Sequence, residues 1–136
     1  MAGSKGDYLE NKILDHILGG GDFTRPATVY VHLYTVAPSD AGGGTEVSTG
    51  AWSNYAAVAV TNNGTNWPAS SGGSKSNGVA ISFGTATIVS APTVVAFAIL
   101  DVSGNFLYWG TLTADKSITN GDPVSFPIGS LVITED

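Results

Sequence analysis

Hydrophobic and polar positions change their period once along the chain. From Tyr8 to Leu18, in "YLENKILDHIL", apolar residues recur every three or four positions. Leu9, Ile13 and Ile17 form one stripe, Leu14 and Leu18 widen it, and Asn11, Lys12 and Asp15 fall on the opposite face. This spacing predicts an amphipathic helix over about 8–18, with Asp7 as N-cap, Glu10 completing a capping box and Gly19 to Gly21 ending it. A three-turn helix is marginal alone in water, so its apolar face must be covered. The subunit's own sheet is the first expectation and a sister subunit the second, which makes Leu9, Ile13 and Ile17 interface candidates.

Beyond the glycines the period becomes two. In "TVYVHLYTV" Val29, Val31 and Leu33 alternate with Tyr30, His32 and Tyr34, as in a strand with two usable faces. Further strands are expected at Tyr55 to Val60, Gly78 to Phe83, Thr93 to Leu100, Asn105 to Leu112 and Gly129 to Glu135, with weaker ones near Glu46, Ser117 and Val124. "DVSGN" reads as the hairpin between the two most apolar of them. Short strands at turn spacing with one helix predict a mainly β protein, a β-sandwich or jelly-roll-like domain with one N-terminal α-helix, spanning 1–136 as a single domain. Two long glycine-rich loops, "PSDAGGGTEVSTGAWSN" and "TNNGTNWPASSGGSKSNG", break the pattern, and each holds a tryptophan. Trp52, Tyr55 and Trp67, in or beside these loops, are interface candidates because exposed aromatic rings anchor partners.

Charge and composition narrow the functional classes. Only 12% of residues are charged and the net charge is -6, with five Lys and Arg in all, so no nucleic-acid partner is expected. No stretch approaches the ~20 apolar residues of a membrane span and no secretory signal is read at the N-terminus, so a soluble product made in a cytoplasm, with no membrane partner, is expected. The chain has no Cys, which removes disulfides and thiol chemistry. Two histidines, His16 on the helix and His32 in a strand, lie in no nucleophile motif and are too few for a metal site. Asp101, Asp115 and Asp122 sit in turn-like contexts, while Asp40 and Glu46, flanking "AGGG", suggest only a weak Ca²⁺ site. No catalytic residue, cofactor or metal is assigned, and no enzyme activity is expected.

The phrases "YLENKILDHILGG", "LYTVAPSDAGGGTEVS", "YAAVAV" and "LYWGTLTADKSITNGDPVSFPIGSLVITED", in this order, resemble a family of small tailed-bacteriophage virion proteins. Members are commonly labelled tail fibre proteins, and some resemble capsid decoration or cement proteins. The chain departs from the family pattern at "STGAWSNYAAV", where a tighter "GGGYAR" turn is usual, and lacks the arginine after Tyr55. The resemblance implies a non-enzymatic structural protein. The reading it favours is a decoration protein, a homo-oligomer (trimer favoured) that binds the major capsid protein or other virion proteins on the outer capsid surface. The alternative it implies is a tail fibre or tail-tip component that contacts the host surface.

Overall fold

The computed structural model describes residues 3–135. In chain order its elements are β1 (Gly3–Lys5), α1 (Asp7–Ile17), β2 (Thr28–Val36), β3 (Thr45–Glu46), β4 (Val58–Thr61), β5 (Ser74–Ser76), β6 (Ile81–Thr85), β7 (Thr93–Leu100), β8 (Phe106–Ser117), β9 (Pro123–Phe126) and β10 (Val132–Thr134). The protein is mainly β with one helix near its N-terminus. All of its strand pairs are antiparallel, as in a β-sandwich. The main sheet runs β1-β8-β7-β2-β3, with β4 also pairing β2, and two-stranded sheets β10-β5 and β6-β9 complete the framework.

The period-two pattern explains the centre of this sheet. β2 and β7 pair with Val31 opposite Ile99 and Leu33 opposite Phe97, and all four side chains are buried in the main core. The intervening pair, His32 and Ala98, and the pair Tyr34 and Ala96 face the other way, where Tyr34, Ala96, Ala98 and Leu100 form a second, smaller cluster. β7 is therefore buried on both faces, which is why "TVVAFAIL" is a continuous apolar run and not an alternating one. The hairpin expected at "DVSGN" is present: Asp101 Oδ1 accepts the amides of Ser103 and Asn105, both at 2.9 Å, and Gly104 takes φ +85°.

An aromatic chain joins the layers. Phe97 on β7 meets Phe126 on β9 edge-on at 6.1 Å, Phe126 meets Phe83 on β6 at 6.4 Å, and Phe83 stacks on Tyr55 at 6.2 Å. Trp52 closes the chain against Tyr55 at 5.4 Å. Asn77 fixes the loops beneath. It is 1% exposed, its Nδ2 donates to the carbonyls of Val79, Phe126 and Pro127, and its Oδ1 accepts the Leu131 amide at 2.9 Å. The neighbouring Gly78 lies where a Cβ would strike the Thr65 carbonyl and the Pro68 ring, so only glycine lets the two chain segments approach.

The helix differs from its sequence signals in three ways. Its N-cap is Gly6 with no side-chain cap, and Asp7 is already helical, so the expected capping box is absent. The cause is steric: a Cβ at position 6 would lie 2.6 Å from the Phe106 carbonyl, which excludes every side-chain cap there. The helix start is held instead by main-chain bonds from Gly6 to Leu107 and from Asp7 to Asp40. Finally, the subunit's own sheet covers only Leu9 of the apolar face, whereas Ile13, Leu14, Ile17 and Leu18 are 36%, 57%, 67% and 78% exposed.

Two strands, β1 and β5, carry no apolar alternation and were not anticipated; they pair β8 and β10 respectively. β8 absorbs the weak element near Ser117 by passing a bulge opposite Val94 and Ala96. Replacing Asn77 by Leu strands the buried Leu131 amide and removes a donor from three partly buried carbonyls, and is expected to cost about 3 kcal/mol of unfolding free energy, read as a lowered urea midpoint at unchanged slope.

Candidate functional site

The loops bring their aromatic side chains inward. Trp52 is fully buried, and its Nε1 donates to Asn54 Oδ1 at 2.6 Å, while the same oxygen accepts the Thr87 amide and Asn54 Nδ2 donates to the Thr85 carbonyl. The Tyr55 hydroxyl accepts the Leu33 amide at 2.9 Å and donates to Glu46 Oε2 at 2.7 Å, and His32 Nδ1 lies 2.7 Å from that carboxylate oxygen. Trp67 is 8% exposed, with its loop folded by Asn63 Oδ1 accepting the amides of Thr65 and Asn66. In this subunit the two tryptophans and Tyr55, read from sequence as surface anchors, fill core volume instead. The physical reason is that the β6-β9 and β5-β10 pairs are too short to close a core without loop side chains.

Leu9, Ile13 and Ile17 have three different fates on one helix face. Leu9 enters the core, Ile13 lies at the edge of a groove, and Ile17 projects outward. The groove encloses about 480 Å³ between α1, the 23–26 segment, the 62–75 loop and the ends of β8 and β10. Leu9, Phe23, Val29, Ile99, Leu107 and Ile133 make its lining chiefly apolar, with Arg25 and Lys75 as its cationic groups. Lys75 Nζ donates to the Trp67 carbonyl at 3.3 Å, whereas Arg25 makes no ion pair among the described residues. The one acidic lining residue, Glu135, is engaged: it pairs with Lys5 at 2.6 Å and accepts from the Tyr108 hydroxyl at 2.8 Å. The hydrogen bond from Lys5 to Glu135 raises the Lys5 pKa, and burial, reinforced by Glu135, pushes the Tyr108 phenol up. Trp67 Nε1 is a buried donor with no hydrogen-bond partner among the described residues.

This groove was not visible in the sequence. Its walls come from six separate stretches of chain, and the only signal was the excess width of the helix's apolar stripe. The residues considered for chemistry serve structure. His16 Nδ1 accepts the Phe23 amide at 3.2 Å and Asp122 caps Thr119. Asp40 accepts from Ser4 Oγ and Trp109 Nε1, joining β1 to β8, a network separate from that of Glu46. Among the described residues no group of three or more His, Cys, Asp or Glu is placed to hold a metal ion. No helix is long and apolar enough to cross a membrane among the same residues.

Fold and surface together describe a small mainly β protein whose outward features are an aliphatic helix face and an apolar groove. The family model described as podophage GP4 fiber I protein gp80 matches residues 4–134, and the chain belongs to that family of small phage virion proteins labelled as fibre. No curated protein matches the chain.

The buried phenols set a pH response. Burial, with Glu46 adding to it, raises the Tyr34 pKa from 10.0 to about 12, and the same two causes push Tyr55 further up. A phenol whose pKa is higher folded than unfolded contributes stability that is full below pH 10, and this stability declines as pH rises through the folded value. Stability is therefore expected to be insensitive to these groups up to pH 10 and to fall steadily from there to about pH 12. Tyr55→Phe should lose about 1–3 kcal/mol at neutral pH, from the unpaired Leu33 amide and the lost bond to Glu46, yet show a shallower alkaline decline in thermal melts.

Proposed function

We propose that this chain is a non-enzymatic structural subunit of the phage tail fibre, working through contact surfaces on the virion and toward the host. The observation that carries this reading is the unpartnered aliphatic face of α1 beside the apolar groove. Contiguous exposed aliphatics on a small protein mark a surface that another molecule covers. The described histidines, and carboxylates such as Asp40, Glu46, Asp101 and Asp122, are meanwhile engaged in holding turns and sheet edges together. Membership of a family described as fibre directs the reading to the tail.

A second reading is decoration of the outer capsid by binding the major capsid protein, favoured by the net charge of -6, which packaged DNA would repel from the interior. The two differ in place and number. Gold-labelled antibody against the chain is expected to mark the tail at a few copies per particle, and purified protein is expected to compete with phage for adsorption. Dense labelling over the whole head, with no effect on adsorption, would establish the decoration reading instead.

A further inference from the structure

We propose that α1 of one copy seats over the apolar groove of a second copy, and reciprocally, to form a two-fold dimer. The proposal concerns contact between copies and holds wherever in the virion the chain resides. Within its own subunit the helix is anchored by Leu9 and by main-chain bonds at its start, and Ile13, Leu14, Ile17 and Leu18 remain exposed. Three turns held at one end gain order when a neighbour covers the remaining face.

The occupant follows from where knob and hole lie. Ile13 belongs to both: it is part of the exposed stripe and it lines the groove. Two helices packed antiparallel about Ile13 put Ile17 of each copy opposite Leu9 of the other, at the groove wall. Such a contact is self-complementary, as a two-fold interface requires, and it opposes the two helix dipoles favourably.

Charge agrees with shape. The same pairing carries the C-terminal end of each helix, with the fully exposed Asp22 just beyond it and the negative pole of the dipole, toward the cationic groups of the other copy's groove, Arg25 and Lys75. These are two of only five cationic residues in a chain with eleven acidic ones, and both line this groove. An apolar knob with an acidic end and an apolar hole with cationic groups thus occur side by side on one molecule, so a second copy satisfies both at once.

The chain has no cysteine, so single-cysteine variants report proximity cleanly. Sedimentation of the wild type should show a concentration-dependent monomer–dimer equilibrium. Ile17→Asp with Leu18→Asp, at exposed positions, should give a monomer with the wild type's circular dichroism and cooperative melting, without the concentration dependence of melting temperature that the wild-type dimer shows. The pair Arg25→Glu and Lys75→Glu, and separately Asp22→Lys, should each weaken association by at least about fivefold, and the three changes together should restore it. Ile13→Cys should oxidise to a covalent dimer, whereas Val102→Cys, more exposed at the β7–β8 turn (80% against 36%), should not. A wild type that stays monomeric at high micromolar concentration overturns the proposal. So does a threefold assembly, an association indifferent to Ile17→Asp with Leu18→Asp, or cross-linking at Val102 equal to that at Ile13.

Discussion

The edge-on contact of Phe97 with Phe126 joins the two layers of this protein. Phe97 occupies the middle of β7, the strand buried on both faces, and Phe126 closes the short β9. Through this contact the main sheet gains a second layer that its own hydrogen bonds cannot reach. From there the aromatic chain continues through Phe83 to Tyr55 and Trp52, so the loops carrying the last two are folded against the core. Tyr55 in turn sets the position of β2 through the Leu33 amide and of β3 through Glu46. Each ring is large enough to contribute about 150–250 Å² of buried surface, which a chain of short strands needs more than further sheet.

Elements whose fate is decided by their own side chains were legible in the sequence. β2 and β7 run over the residues their apolar patterns marked, and the turn at Asp101 follows from local Asp and Gly chemistry. Elements decided by remote contacts were not legible. β5, with the sequence Ser74-Lys75-Ser76, is a strand only because β10 pairs with it, and Gly6 caps the helix only because Phe106 leaves no room for a Cβ. The inward turn of Trp52 and Trp67 has the same origin, since loop composition indicates exposure while the unfilled space beneath the small sheets dictates burial. The groove lay furthest from view, because it exists only where helix, loop and strand ends converge.

Helix and sheet thus divide the work of the molecule. The sheet and its aromatic chain hold a shape that needs nothing from outside. The helix, fastened at its first turn, leaves most of its aliphatic face exposed.

The strand edges bear on how such a protein tolerates crowding. β1 is three residues long and ends in Lys5, β3 is two residues and ends in Glu46, and β5 carries Lys75 at its centre. Short, charged rims are poor templates for another chain's backbone, so at β1, β3 and β5 the sheets resist growing into one another even where many copies are packed at high local concentration. Polymerisation by strand addition, the usual hazard of β-rich proteins held close together, is closed off at these rims. Side-chain surfaces are left to decide which neighbours adhere.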